Sequence, residues 1–181
     1  MMGGWYIPPF ICDELITIFK NNKKLQRVGV AGRDRRVDLN MKECLEFGIK
    51  PSCNDPSFIQ YLKHLKVILD LYIKKYPEVQ KFAKFGMIES SHIQYYKPGQ
   101  GYKVWHFERD GFSYSRNRCL VFMTFLNDVP EGGTHFKYQD LTVPAEKGLT
   151  LIWPTDFTHT HKGQITKKHE KYILTGWLGY I

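Results

Sequence analysis

The sequence lacks long apolar runs, closely spaced cysteine pairs and low-complexity segments. No stretch approaches the ~18 consecutive apolar residues of a membrane-spanning helix, and residues 1–10 lack the basic and apolar regions of a secretory signal. Its four cysteines form no C-x-x-C pair, which argues against a zinc knuckle. We therefore expect a cytoplasmic protein with free thiols and no membrane partner.

The charge and composition indicate one globular domain spanning residues 1–181. Apolar residues make up 43% of the 181 residues and aromatic residues 15%, enough to build a core. The net charge of +8 is spread over both halves and forms no basic tail. We interpret it as a mildly basic, solvated surface, with affinity for acidic substrates as the alternative. Nucleic acid is not favoured as a partner, because no base-stacking motif is evident.

The first part of the chain, residues 1–85, is predicted to be a mainly helical support. Asp13 can cap a helix that ends near Asn22. Residues 25–50, which hold the RDRR cluster at 33–36, are predicted to be loop that could contain a strand. Asp55 and the proline after it begin a second helix. Its apolar residues recur at helical spacing and predict a buried stripe of Phe58, Leu62, Leu65, Leu69 and Tyr72.

From Gly86 onward, short β-branched and aromatic runs alternate with turn residues such as KPGQG and VPEGG. Strands of this length and spacing are typical of a sandwich or barrel. We predict an α+β protein with a double-stranded β-helix, or jelly-roll, core over residues 86–181 and the N-terminal helices packed on one face.

A candidate metal site is centred on His106 and Glu108. Residues two apart in a strand point to the same face, so these two side chains could bind one ion. A third ligand must come from a distant segment, with His159 and His161 as the candidates. Two histidines and one carboxylate are the ligand set of non-haem Fe(II) oxygenases, which leaves positions open for a co-substrate and O₂. Zinc with the same ligands is the rival interpretation.

Several ordered motifs surround this site. The stretch YKPGQGY at 96–102 precedes His106, RCLVFMTFLND at 118–128 is followed by EGGTHF at 131–136, and PAEKG at 144–148 leads into LTLIW. Together they resemble the 2-oxoglutarate/Fe(II) oxygenases of the prolyl 4-hydroxylase type over about residues 93–177.

The resemblance implies a specific choice between the two distal histidines. In this family a basic residue follows the distal metal histidine by nine or ten positions and pairs with the far carboxylate of 2-oxoglutarate. Lys171 lies ten positions after His161 and twelve after His159, so His161 is assigned to the metal and His159 to a supporting position on the same strand face. A buried lysine is costly without an opposite charge. The co-substrate would supply that charge, with an internal Asp or Glu as the alternative.

Further site residues follow from the same resemblance. Tyr96 is expected to hydrogen-bond the co-substrate, with a tyrosine packed in the core as the alternative. Strand alternation, independently of the resemblance, places Thr175 and Trp177 on the face of Lys171, and both are expected beside it. Arg118 matches a position near the peptide substrate in the hypoxia-sensing prolyl hydroxylases, with an ordinary surface arginine as the alternative.

Two positions depart from the family pattern. Glu108 stands where the metal carboxylate is usually Asp, which keeps zinc and inactive-site interpretations open. Phe125 replaces a tyrosine common in relatives, so one hydroxyl to the co-substrate is missing unless Thr124 or Tyr96 compensates.

The implied function is an Fe(II)- and 2-oxoglutarate-dependent dioxygenase that consumes O₂ and releases succinate and CO₂, with ascorbate as reductant. We expect hydroxylation of a prolyl or other residue in a protein or peptide. Residues 25–50 and 109–117 could form a lid over the substrate, with ordinary surface loop as the alternative. A free amino acid or other small molecule is an alternative substrate. A non-catalytic, metal-binding jelly-roll module is the alternative of another class.

Overall fold

A computed structural model describes residues 1–32, 36–81 and 83–181. The predicted RDRR loop cluster lies outside the described residues except for Arg36. Within the described residues, no helix is long and apolar enough to cross a membrane. All four cysteines are free thiols, as predicted.

Two α-helices form one outer layer of the molecule. Helix α1 spans Pro9–Asn21 and α2 spans Pro56–Lys75. The prediction of Asp13 as the cap of α1 was wrong: the helix begins four residues earlier, where a proline suits the first turn because it needs no N–H partner there. Asp13 lies on the exposed side and pairs instead with Lys147, at 2.6 Å between Nζ and Oδ1.

Helix α2 begins as predicted. The Asp55 side chain accepts hydrogen bonds from the backbone N–H groups of Ser57 and Phe58, at 3.0 and 3.2 Å. The buried stripe is rotated from the predicted one, because Tyr61 and Ile68 are buried whereas Leu62 and Leu69 are only half-buried. Buried side chains of both helices pack against the main sheet in one apolar cluster.

The described strands form two antiparallel sheets. The main sheet has the order β1-β9-β6-β11-β5-β3-β2, with β4 paired to β11, and the small sheet has the order β10-β7-β8. The strands are β1 (Gly3–Tyr6), β2 (Arg27–Val28), β3 (Leu45–Ile49), β4 (Phe85–Gly86), β5 (Ser91–Tyr96), β6 (Arg118–Phe125), β7 (Val129–Phe136), β8 (Leu141–Ala145), β9 (Leu149–Pro154), β10 (His161–Gly163) and β11 (Lys171–Tyr180).

The main sheet separates two apolar clusters, and β6 contributes to both. Leu120 and Phe122 belong to the cluster under the helices, whereas Val121, Met123 and Phe125 belong to the cluster between the sheets. This division follows from the two-residue period of a strand. The jelly-roll prediction with helices on one face is confirmed.

Strands appear where the sequence predicted helical support or a turn. β1 lies in the N-terminal half and pairs with β9 of the main sheet. Residues 25–50, predicted as loop that could contain a strand, contain two short strands, β2 and β3, and β3 pairs with β5. The predicted VPEGG turn lies instead within β7, where the register shifts between Val129 and Thr134 and Glu131 takes a φ of 57°. A bulge of this kind allows a turn-like sequence to remain in a sheet.

Candidate metal centre and co-substrate pocket

Three side chains predicted to bind the metal converge on one site. Donor atoms of His106, Glu108 and His161 all lie within 4.8 Å of one another. Each histidine Nε2 lies 3.5 Å from Oε1 of Glu108. Metal–ligand bonds of about 2 Å would let one ion touch all three atoms.

Backbone pairing between two distant segments creates this convergence. The N–H of His106 donates to the carbonyl of His161 at 2.9 Å, and the reverse bond is 2.8 Å. The pairing is an isolated bridge, not part of a regular strand. The prediction that a strand carries His106 and Glu108 was therefore wrong, although both side chains face the same site. After His106 the described part of the chain makes no further pairing with the His161 segment. Instead, the backbone N–H groups of Glu108 and Arg109 donate hydrogen bonds to the Thr155 carbonyl.

Both imidazoles are held with Nε2 toward the centre. Nδ1 of His106 lies 3.1 Å from the Val104 carbonyl, and Nδ1 of His161 lies 2.9 Å from the His159 carbonyl. A carbonyl can only accept, so Nδ1 carries the hydrogen and Nε2 presents its lone pair. Burial and the neighbouring His161 lower the pKa of His106, which favours the neutral, metal-binding form.

The two oxygens of the Glu108 carboxylate have different surroundings. Oε1 faces the two histidines, whereas Oε2 accepts a hydrogen bond from Nε1 of Trp177 at 3.0 Å and lies 3.6 Å from a guanidinium nitrogen of Arg118. Burial acts to raise the pKa of Glu108, whereas hydrogen bonds and charge attraction from His106 and His161, when their Nε2 atoms are protonated, lower it, and the result is a pKa well below its usual value. One oxygen of an ionised carboxylate is thus left for a cation.

His159 contributes through its backbone only. Its side chain lies in a short 3-10 turn, outside any strand, and its Nδ1 lies 3.0 Å from Oγ1 of Thr158. The prediction that the His159 side chain shares a strand face with His161 was wrong, because β10 begins only at His161. Burial lowers the pKa of His159 to about 4, so the ring is neutral at physiological pH.

A cavity of about 360 Å³ opens beside the three donors. Strands β5 and β11, at the centre of the main sheet, provide much of its wall. The predicted residues Tyr96, Arg118, Lys171, Thr175 and Trp177 all line this cavity.

Lys171 lines the pocket and is only 4% exposed. Its ammonium donates to the carbonyls of Gly132 and Gln164, each at 2.9 Å, and lies 5.2 Å from the centre of the Tyr96 ring. Within the described part of the chain it forms no ion pair, so the alternative of an internal Asp or Glu partner finds no support there. Burial lowers the pKa of Lys171 to about 8, which marks a desolvated ammonium that an anion would stabilise.

Hydroxyl groups near Lys171 have protein partners in this structure. The Tyr96 hydroxyl donates to Oε1 of Gln94 and the Thr175 hydroxyl to the Phe122 carbonyl. Thr124 cannot compensate for the missing tyrosine at Phe125. It faces the helix layer and lies 3.0 Å from the Tyr61 hydroxyl, because alternate residues of β6 face opposite layers.

Arg118 is buried at 7% exposure, so the surface-arginine alternative was wrong. Its guanidinium lies 3.9 Å from the centre of the Trp177 ring and makes two hydrogen bonds to the Glu89 carboxylate, at 2.6 and 2.7 Å. Another nitrogen donates to the Glu108 backbone carbonyl at 3.0 Å. These contacts hold Arg118 beside the carboxylate of the metal site.

Two other cavity features, which involve three further residues, went unrecognised in the sequence. The Tyr102 ring stacks on His106, with 3.6 Å between ring centres and 11° between planes. Lys42 and Glu46 form a buried ion pair of 2.7 Å in the cavity wall. Tyr102 is the last residue of the YKPGQGY motif, and its place in that motif could have indicated it as a site residue. The i, i+4 spacing of Lys42 and Glu46 is too common on surfaces to indicate a pocket.

The chemistry of these donors fits Fe(II). Two neutral imidazoles and one carboxylate on one side of a cavity leave the remaining positions open to a chelating ligand and O₂. Fold and site together define a jelly-roll protein with a candidate site for a single metal ion.

Comparison with known proteins supplies the family. Residues 91–179 match the family model described as the 2OG-Fe(II) oxygenase superfamily. This match identifies residues 91–179, about half of the chain, as a 2OG-Fe(II) oxygenase domain and supports a 2-oxoglutarate-dependent dioxygenase, for which Fe(II), 2-oxoglutarate and O₂ are the implied cofactor and co-substrates. No curated protein matches the chain significantly.

Solved structures share the fold at low sequence identity. A viral collagen prolyl hydroxylase from Paramecium Bursaria Chlorella virus-1 is 17% identical, with a TM-score of 0.74 over 99% of this chain and 96% of that one. A prolyl-4-hydroxylase from Pseudomonas putida is 17% identical, with a TM-score of 0.71 over 98% and 91%. A Trichoplax adhaerens prolyl hydroxylase, in complex with a peptide fragment of the hypoxia inducible factor oxygen degradation domain, is 13% identical, with a TM-score of 0.75 over 99% and 83%.

Proposed function

We propose that this chain hydroxylates a prolyl residue in a peptide or protein, with His106, Glu108 and His161 as the ligands of Fe(II). The convergence of these three donors on one cavity supports the proposal most directly. When bound, Fe(II) supplies the oxidative chemistry that inserts oxygen from O₂ into a C–H bond while 2-oxoglutarate is converted to succinate and CO₂. Ascorbate is the proposed reductant.

The protein's own part is to bind, orient and shield the reactants. Lys171 would bind the far carboxylate of 2-oxoglutarate, exchanging a bond to a carbonyl dipole for one to a full negative charge. Tyr96 and Thr175 lie on the adjacent wall, where their hydroxyls could turn toward the same carboxylate. Trp177 would fix the orientation of the Glu108 carboxylate through its indole N–H, so that Oε1 stays available.

A peptide substrate is favoured over a free amino acid by the solved neighbours, which include a viral collagen prolyl hydroxylase and a prolyl hydroxylase bound to a peptide fragment. Arg118 would contact the substrate from the side of Glu108. Ala31 and Met41 from one segment of the predicted lid, and Asp110 and Tyr114 from the other, line the cavity, which supports the lid proposal. The cytoplasmic location stays a prediction.

An anaerobic titration tests the metal ligands. Adding Fe(II) and 2-oxoglutarate should produce the weak visible charge-transfer band of a bound chelate. His161→Ala should abolish the band, whereas His159→Ala, two residues away, should keep most of it because only the backbone of His159 supports the site. The opposite result would overturn the assignment.

The reaction is tested by adding O₂ and a panel of proline-containing peptides. We expect a mass increase of one oxygen on a prolyl residue, matched by succinate formation. Succinate without peptide oxidation, together with hydroxylation of free proline, would favour a small-molecule hydroxylase. Metal binding without oxygen-dependent succinate formation would favour a binding module.

A further inference from the structure

An aromatic and basic surface lies at the rim of the metal centre, outside the pocket residues assigned above. It consists of Trp105, Lys137, Tyr138 and Lys162, and we call it the Trp105 surface. Trp105 is 41% exposed and Tyr138 64% exposed, so both rings are accessible at the surface. Trp105 also lines the cavity that contains the three metal-binding candidates.

Backbone pairing brings these side chains together. Trp105 and Lys162 flank the bridge between His106 and His161, so they lie opposite each other on the two paired segments. Lys162 pairs in turn with His135 of β7, two residues before Lys137. The segments that position the metal-binding candidates therefore also position this surface.

The two lysines present unneutralised positive charge. The ammonium of Lys162 lies 4.6 Å from the centre of the Trp105 ring and that of Lys137 lies 6.0 Å from it. Among the described residues neither lysine forms an ion pair, whereas the nearby Lys103 and Arg109 are paired with Glu43 and Asp156. Cation–π contact holds the ammonium groups near one ring without cancelling their charge.

We propose that the Trp105 surface binds acidic residues flanking the target residue in the peptide substrate. This inference rests on the proposed function, since it names the class of peptide that this site would take. Two ammonium groups beside one indole match carboxylate side chains on an extended peptide. Because the surface begins one residue from His106, the acidic residues would lie within about three positions of the target, at roughly 3.3–3.6 Å per extended residue.

A nucleic acid is the less favoured occupant. Base stacking needs a free aromatic face, but both lysines already lie near the Trp105 ring. Carboxylates need only reach the ammonium groups, and the ring edge remains available for apolar contact.

The test compares two labelled peptides that differ only in charge. Each carries a central proline, flanked by glutamates in one and by glutamines in the other. Binding to the full chain with Mn²⁺ and 2-oxoglutarate is followed by fluorescence anisotropy, and hydroxylation with Fe(II) by mass spectrometry. We expect the glutamate peptide to bind about tenfold more tightly and to show a correspondingly lower KM, with a preference that weakens as salt is raised.

The double variant K137E/K162E should reverse this preference. The matched control K167E/K168E changes the net charge equally at two exposed lysines elsewhere and should keep it. A preference that survives in K137E/K162E, or that is lost equally in the control, would overturn the proposal. So would single-stranded RNA that binds wild-type protein more tightly than the glutamate peptide and loses this binding in K137E/K162E. A binding preference without hydroxylation of either peptide would count against the proposed reaction alone.

Discussion

Replacing Lys171 with methionine should abolish binding of 2-oxoglutarate and, at the same time, raise the free energy of unfolding. Burial lowers the pKa of Lys171 from 10.5 to about 8. One pKa unit corresponds to about 1.4 kcal/mol, so keeping this ammonium charged at pH 7.5 costs the folded state about 3 kcal/mol. The variant also leaves the carbonyls of Gly132 and Gln164 without a hydrogen-bond donor. Each lost hydrogen bond destabilises the folded protein by about 1 kcal/mol and so offsets part of this gain. A net gain of about 1 kcal/mol is expected.

The pH dependence of stability isolates the contribution of the Lys171 charge. Between pH 8 and 10.5 the unfolded chain binds the Lys171 proton more than the folded chain does, so this residue makes wild-type stability rise with pH. The variant lacks that contribution, and the other titrating groups are common to both proteins. The free energy of unfolding of wild type minus that of Lys171→Met should therefore rise by about 3 kcal/mol between pH 7.5 and 10.5.

Urea unfolding in the presence of a chelator measures this difference. In a parallel assay with Mn²⁺ at pH 7.5, 2-oxoglutarate should raise the melting temperature of wild type but not of the variant. Lys171→Arg is the control: because it keeps a positive charge, it should retain part of the 2-oxoglutarate binding. If the difference in free energy of unfolding between wild type and Lys171→Met does not change with pH, the claim that this ammonium is desolvated in the folded protein is refuted.

Three further outcomes can be measured. Affinity for 2-oxoglutarate should fall about tenfold from pH 7 to pH 9, because Lys171 loses its charge above about pH 8; calorimetry showing constant affinity would contradict this. Trp177→Phe should weaken metal binding about tenfold by removing the hydrogen bond to Glu108 while keeping an aromatic ring; unchanged affinity would show that the indole N–H is not needed. Asp55→Ala should lower the free energy of unfolding by about 1 kcal/mol through loss of the α2 cap. Asp55→Asn should keep most of that stability, and equal losses in both variants would argue against capping.

The sequence predicted the features that depend on local chemistry and strict periodicity. Asp55 followed by proline marked the start of α2, and alternation placed Lys171, Thr175 and Trp177 on one face of β11. Both predictions rest on geometry that neighbouring residues fix by themselves.

Features that depend on tertiary pairing were missed. β1, with two glycines in four residues, has little intrinsic strand preference and is held by its pairing with β9. The segment of His106 and Glu108 reaches its position through one bridge and several loop hydrogen bonds. Nothing near Arg118 in the sequence indicated that Glu89, twenty-nine residues earlier, would hold its guanidinium.

The central position of β11 ties the architecture of the sheet to the chemistry of the pocket. This strand is hydrogen-bonded on both sides, to β5 and to β6. A slip of one residue along either neighbour would turn the amine of Lys171 and the indole of Trp177 toward the helices together. A molecule with this strand out of register would therefore lose both the Lys171 ammonium and the Trp177 hydrogen bond to Glu108 from the pocket. Register errors in β11 would thus give inactive protein and not partly active protein.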